Sequence, residues 1–341
     1  MDLKPGQQIG VYRIIRLLGK GGMGAVYEVE HLQLGVHYAL KTFTFKGGHG
    51  DILKNKFLSE GKVLARLHHP NLVRVFDLNF DETTGTLYFV MDLVLSDDGN
   101  PHTLSDVKTT ELDEDCVLQW FQELAAALDY IHEQGIVHRD IKLGNVLLSA
   151  DRHIVLSDFG VSHLFSQRLR CDVGAIETIV SEVAIGARFV MGTRGYMAPE
   201  VIYGEGVTPA ADSYSLGVMF VYLLTGIWYE PGSKVFGLLE MFDYRWSDVL
   251  RRLLADNPAE RPTNLTELAG LLRSPSTAIQ KKGRDASLSR RKRVFLVLAG
   301  AAALATAAMV YLLLFHHATP IVTDDFGEAF GVHGIYEGPR T

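Results

Sequence analysis

Leu18-Gly19-Lys20-Gly21-Gly22-Met23-Gly24-Ala25-Val26 sets Gly19, Gly21 and Gly24 in a GxGxxGxV spacing between two stretches that read as strands, Tyr12–Leu18 and Ala25–Glu30. A dinucleotide-binding fold needs a helix directly after such glycines and an acid about 20 residues further on. Here a strand follows, so the glycines belong to a strand-turn-strand hairpin. Backbone N–H groups in such a turn can close over phosphates with no Cβ in the way, although a plain hairpin would carry the same residues. The next strand, His37–Phe43, contains Tyr38-Ala39-Leu40-Lys41. A lysine inside an apolar strand is costly unless paired. Lys41 therefore calls for anions: Glu60, on a helical pattern over about Ile52–Leu67, on one side and phosphate oxygens on the other.

Outward from these elements, Leu72–Asp77 and Leu87–Asp92 read as further strands. From Asp113 onward helices dominate. Asp113 is placed as an N-cap ahead of Val117, Leu118, Phe121, Leu124, Leu128 and Ile131 at helical spacing. The pattern is α+β, a small β-rich lobe before a larger helical lobe. With 341 residues, 47% of them hydrophobic and only 11 prolines, the chain can bury a sizeable core. Cys116 and Cys171 form neither a CxxC nor a metal-ligand spacing, which argues against a zinc site or a disulfide framework. The net charge of -7 conceals an acidic main body and a basic run late in the chain. An acidic body argues against nucleic acid as a partner.

From Lys41 the sequence resembles the protein kinase superfamily, and the likeness extends over about residues 11–273. His138-Arg139-Asp140-Ile141-Lys142-Leu143-Gly144-Asn145 is similar to its catalytic loop, and Asp158-Phe159-Gly160, 18 residues after Asp140, to its metal-binding turn. Ala198-Pro199-Glu200 closes the activation segment. Asp212 resembles the buried Asp that anchors a helix, and Arg261 the Arg that pairs with the closing glutamate. The resemblance implies a two-lobe kinase fold that uses ATP and Mg2+ and acts on protein hydroxyls. It assigns Asp140 to the proton of the substrate hydroxyl and Lys142 to charge on the transferring phosphoryl group. Asn145 and Asp158 are assigned to Mg2+, and Lys41, paired with Glu60, to the α and β phosphates. The resemblance also implies that Leu18, Gly19, Lys20, Gly21, Gly22, Met23, Gly24, Ala25 and Val26 cover the nucleotide. Aligned with that family, Met91 would stand at the gate of the adenine pocket, Asp92 and Val94 would lie on the hinge, and Val26, Ala39 and Leu147 would sandwich the purine. Lys142, two positions after Asp140, and Thr193 resemble members that phosphorylate serine or threonine. A catalytically silent scaffold would be expected to lack one of these residues, and all are present.

The chain also departs from that pattern. The segment from Asp158 to Glu200 is 43 residues long, and Ile185-Gly186-Ala187 stand where related bacterial members carry threonines. Thr178 and Ser181 are the remaining acceptor candidates, with Glu182 as a stand-in for phosphate charge. The interval from Asp212 to Arg261 is short, and Leu143 replaces a common proline. Asp97, Asp98, Asp106, Glu111, Asp113, Glu114 and Asp115 form an acidic stretch that reads as a solvated loop or as a lure for basic substrates.

Residues 294–315 (VFLVLAGAAALATAAMVYLLLF) carry no charge over 22 positions, roughly 33 Å as helix, and read as a single transmembrane span. Lys281, Lys282, Arg284, Arg290, Arg291, Lys292 and Arg293 precede it, whereas the 26-residue tail carries Asp324, Asp325, Glu328 and Glu337. The positive-inside rule then places residues 11–273 in the cytoplasm, residues 274–293 as a basic linker at the inner leaflet, and residues 316–341 outside the cell membrane. Ala299, Ala303 and Ala307 recur at four-residue spacing, which would let two spans approach and form a homodimer.

Overall fold

The computed structural model describes residues 3–21, 24–43, 61–158, 195–230 and 244–273. Six strands, β1 (Gln8–Ile9), β2 (Tyr12–Gly21), β3 (Gly24–His31), β4 (His37–Phe43), β5 (Val75–Asp81) and β6 (Thr86–Met91), form one antiparallel sheet in the order β1-β2-β3-β4-β6-β5. Successive side chains on a strand point to opposite faces. In β4 and β6 the sequence is apolar on both: Leu40, Tyr88 and Val90 join Ile9, Tyr12, Ile14, Tyr27 and Val29 on one face. Ala39, Phe43, Leu87, Phe89 and Met91 join the core shared with the helical lobe on the other. Lys41 has the parity of Ala39 and Phe43, so the strand presents its single cation on the side of the helical lobe.

The helical lobe is organised around α1 (Glu114–Glu133) and α2 (Pro199–Ile202), followed by α3 (Pro209–Thr225), α4 (Tyr244–Leu253) and α5 (Leu265–Arg273). Asp113 caps α1 as expected, its carboxylate accepting from the Cys116 N–H at 2.7 Å. Helix α1 buries Val117, Trp120, Phe121, Leu124, Leu128 and Ile131, and only Leu118 of the expected set is less than fully buried. Helix α3 is buried almost all round. A Cβ at Gly217 would stand 3.0 Å from Leu253 and Leu254, so glycine lets α3 and the end of α4 pack closely. Asp129 on α1 accepts the N–H groups of Leu265 and Thr266 at 2.9 and 2.7 Å, satisfying the first turn of α5. A second small sheet, β7 (His102–Thr103), β8 (Val146–Leu148) and β9 (Ile154–Leu156), connects the loop 138–145 to Ser157 and Asp158.

Among the described residues no helix is long and apolar enough to cross a membrane. The expected span, its basic linker and its tail lie outside the described residues, as does Cys171; Cys116 is unbridged. Three acids of the acidic stretch are committed to local structure. Asp98 accepts from Asn100, Asp106 completes a capping box with Thr103, and Asp113 caps α1.

Arg261 and Glu200 form the deepest ion pair described, with Arg261 Nη1 and Nη2 at 2.6 and 2.9 Å from the two carboxylate oxygens. The remaining guanidinium hydrogens go to the carbonyls of Ala210, Ala255 and Asp256, and the cation lies 4.9 Å from the ring centre of Tyr214. All five donors are satisfied at 3% exposure, so removing the cation strands a buried carboxylate. Arg261→Met is expected to lower stability by about 3–5 kcal/mol, measured by urea unfolding of the full chain followed by tryptophan fluorescence. A loss below about 1 kcal/mol, the range of an exposed pair, would contradict this reading.

Candidate active site

The loop 138–145 is shaped by one buried carboxylate. Asp212, on α3 and 1% exposed, accepts the backbone N–H of His138 on Oδ2 and that of Arg139 on Oδ1, both at 2.7 Å. His132, in the last turn of α1, donates its Nε2–H to the same Oδ2 at 2.9 Å. Arg139 is thereby held at φ 70°, a left-handed conformation uncommon for a side chain of its size. The chain reverses there and delivers Asp140. Lys142 Nζ lies 2.7 Å from Asp140 Oδ2, and Asn145 Nδ2 donates to Asp140 O at 2.7 Å and to Oδ2 at 2.8 Å. The amide nitrogen of Asn145 is therefore engaged with Asp140, which leaves its Oδ1 as the atom suited to a cation.

His138 joins this loop to the strand that ends at Asp158. Its Nδ1 accepts the Asp140 N–H at 3.3 Å, so the ring proton sits on Nε2 and is donated to the Ser157 carbonyl at 3.0 Å. Burial holds the imidazole pKa below its ordinary value and keeps the ring neutral, despite the Asp212 carboxylate nearby. Ser157 in turn binds the Asn145 carbonyl through both N–H and Oγ, at 2.8 and 2.9 Å. At the next residue Asp158 adopts φ 60° and meets Lys41 Nζ at 2.5 Å through Oδ1. Glu60, expected beside Lys41 together with phosphate oxygens, lies outside the described residues; among the described residues the carboxylate that reaches the lysine is Asp158.

The walls of the cleft follow from strand register. Val26 pairs with Lys41 and Ala39 with Met91 across β3, β4 and β6. Ala39 and Met91 are buried, whereas Leu18, Val26, Val94 and Leu147 are partly buried against the same core. The hairpin extends further than expected, through Gly19, Lys20 and Gly21, to a pair between Gly21 and Gly24. A Cβ on Gly24 would fall 1.8 Å from the Thr42 carbonyl oxygen, so only glycine allows β3 to begin here. Ala25 then exchanges hydrogen bonds with the Thr42 hydroxyl, fixing the hairpin base beside Lys41. On the hinge, Asp92 and Arg74 are tied twice: Asp92 N–H donates to the Arg74 carbonyl and its Oδ2 accepts the Arg74 N–H. A cavity of about 960 Å³ bounded by Pro70, Phe76, Leu93 and Val155 shares Asp92 and Val94 but contains none of Lys41, Asp140, Asn145 or Asp158.

Of the expected site residues, Asp140, Lys142 and Asn145 form one hydrogen-bonded group, and Lys41 and Asp158 another, joined through His138 and Ser157. Gly22, Met23, Phe159, Gly160, Thr178, Ser181, Glu182 and Thr193 lie outside the described residues. Sequence reasoning missed His132 and Ser157; neither stands in a pattern that announces it. Among the described residues no group of three His, Cys, Asp or Glu side chains could hold a metal ion alone. Asn145 Oδ1 and the Asp158 carboxylate are hard oxygen donors. They suit Mg2+, which takes one or two protein ligands and completes its shell with water and phosphate oxygens.

The sequence matches the family described as Protein kinase domain over residues 12–269. It is 36% identical over 229 residues to the serine/threonine-protein kinase PknJ of Mycobacterium tuberculosis, covering 66% of this chain and 36% of that protein. It is 30% identical over 282 residues to the serine/threonine-protein kinase PknD of Chlamydia pneumoniae, covering 75% and 30%. The chain thus spans about a third of the length of these curated relatives. A crystal structure of the Mycobacterium tuberculosis PknI kinase domain, a double mutant, superposes with a TM-score of 0.60 at 28% identity, covering 80% of this chain and 98% of that one.

The buried neutral His138 makes stability depend on pH. Above the unfolded-state pKa near 6.5 both states are neutral and the residue contributes no dependence. Below it the unfolded state binds a proton that the folded state refuses, so stability falls as pH falls, by up to about 1.4 kcal/mol per unit until the depressed folded pKa is reached. Urea unfolding at pH 7 and pH 5.5 should show a larger drop for wild type than for His138→Asn. Equal drops would mean the ring is already charged or solvated.

Proposed function

The chain belongs to the protein kinase family, and from that premise we propose that it transfers the γ-phosphoryl group of ATP to serine or threonine hydroxyls of proteins, itself among them. The observation that carries this reading is the convergence of Lys142 and Asn145 on one carboxylate oxygen of Asp140, beside the Lys41–Asp158 pair. Asp140 is held by two donors and so is oriented to take up the proton of an incoming hydroxyl. Lys142, two residues on, carries the charge that would offset negative charge building on the phosphoryl oxygens. Mg2+, when bound, would neutralise phosphate charge; Asn145 Oδ1 and Asp158 are the residues that would hold it. Lys41 would position the phosphates from the strand side, with Glu60 as its second partner. Leu18, Val26, Ala39 and Leu147 would enclose the adenine, gated by Met91, with the hinge backbone at Asp92 and Val94 meeting its polar edge.

The same reading extends to the rest of the chain. Residues 294–315 would anchor the protein in the cell membrane, with residues 281–293 against anionic lipid and the catalytic lobes in the cytoplasm. Pairing of two spans through Ala299, Ala303 and Ala307 would bring two catalytic domains together.

The test is phosphoryl transfer from ATP and Mg2+ by the full chain in lipid nanodiscs, with acceptor residues mapped by mass spectrometry. Phosphate should appear on serine or threonine, fall about a hundredfold or more in Asp140→Asn, and be lost in Asp158→Ala. Nucleotide binding without transfer to the chain or to basic test proteins would instead indicate a scaffold.

A further inference from the structure

Arg16 makes a connection that the catalytic reading leaves unexplained. It lies on β2 two residues before Leu18, between two irregularities of register, Ile14/Arg16 and Leu17/Gly19. Bulges of this kind re-aim the side chains between them. Arg16 Nε is 2.6 Å from Glu28 Oε2 on β3, a contact within the sheet. Its two terminal nitrogens leave the sheet: Nη1 donates to Asn100 Oδ1 at 2.9 Å and Nη2 to the Gly99 carbonyl at 2.6 Å. Both acceptors belong to the loop that follows the hinge.

Each end of this contact is fixed. Glu28 is only 8% exposed and is held from the other side by His37, 2.7 Å away, so it aligns the guanidinium rather than swinging with it. Asn100 Nδ2 donates to the Asp98 carboxylate at 3.2 Å, which sets the amide with Oδ1 toward Arg16. The loop closes on itself through Ser96 N–H to Asn100 O and Gly99 N–H to Ser96 O, both 2.9 Å. Ser96 Oγ fastens it to the Leu148 carbonyl on β8 at 2.8 Å, next to Leu147. Arg16 therefore spans from the strand that carries Leu18 to a loop riveted to the strand that carries Leu147. The planar fork spreads its donors over three nitrogens and so meets Glu28, Asn100 and Gly99 at once, whereas the three donors of an ammonium all radiate from one nitrogen.

We propose that Arg16 is a positioning residue, a clasp between the lobes at the outer edge of the nucleotide cleft that holds Leu18 and Leu147 at the separation that grips the purine. The inference rests on the kinase reading for the identity of the nucleotide. The hinge and the Lys41–Asp158 pair also link the lobes, and the clasp adds a tie beside Leu18 and Leu147. Losing it loosens nucleotide binding more than it slows the chemical step, because Asp140 and Lys142 are held by Asp212 and Asn145, which Arg16 does not touch.

The experiment compares Arg16→Met, Arg16→Lys and Asn100→Ala with Arg13→Met in the full chain. Arg13 pairs with Glu30 across the same two strands and so controls for loss of a β2–β3 ion pair. Arg16→Met should raise KM for ATP and speed release of a fluorescent ATP analogue by about three- to tenfold, with a smaller change in kcat. Arg16→Lys should fall between, and Asn100→Ala should add little to Arg16→Met in the double variant. Amide hydrogen exchange without nucleotide should quicken at residues 17–21 and 96–100 together in Arg16→Met and at neither in Arg13→Met. If Arg16→Met matches Arg13→Met in exchange and in analogue release, the clasp is overturned. Absence of phosphoryl transfer alongside intact exchange effects would count against the kinase reading alone.

Discussion

The Asp212 carboxylate is the constraint on which the catalytic loop depends. It sits in the first turn of a helix that is buried almost all round, and it receives three N–H donors from two other parts of the chain. A carboxylate in that position would be prohibitive unpaired and becomes stabilising only when its oxygens are saturated. The pairing runs in both directions. The helix needs the loop's N–H groups, and the loop needs the carboxylate to hold Arg139 at φ 70°. Asp140 emerges from that turn already oriented, with Lys142 and Asn145 closing on it.

The same logic recurs along the cleft. Lys41 sits on the core-facing side of a strand that is apolar on both faces and finds Asp158. Glu200 and Arg261 are sealed together behind α3, and the Ser215 hydroxyl donates to the Tyr196 carbonyl, fastening the stretch before Glu200 to the helix that carries Asp212. Charged groups in the interior are thus distributed between the ends of different elements, and each pair fixes where two elements meet. Apolar packing sets the lobes, and the polar pairs set the register of the site within them.

Much of this was legible from residue types. His37–Phe43 coincides with β4 because a short apolar run buried on both faces is itself the signal of an interior strand. The cap at Asp113 and the pairing of Glu200 with Arg261 were expected and are present. Other features were not legible. Leu72–Asp77 was expected as a strand, but β5 begins at Val75 because Leu72 instead bridges to Leu156 and packs between the lobes. The polar continuation through Asn79 and Asp81 belongs to an edge strand, where alternation of apolar residues is weak. The reading of β2 stopped at Leu18, since glycines carry no strand signal, yet Gly19 and Gly21 continue the ladder with β3. The contacts of His132 and Arg16 join residues far apart in sequence, and no local period encodes them.

The most direct measurement is the phosphoryl-transfer rate of Asp212→Asn beside wild type, under saturating ATP and Mg2+. The substituted amide replaces one accepting oxygen with a donor and cannot accept from both His138 and Arg139, so the loop loses the anchor that aims Asp140. A fall of about a hundredfold in kcat, with nucleotide affinity changed far less, is the predicted result. Transfer at the wild-type rate would contradict the account, because the catalytic loop would then hold its geometry without the buried carboxylate.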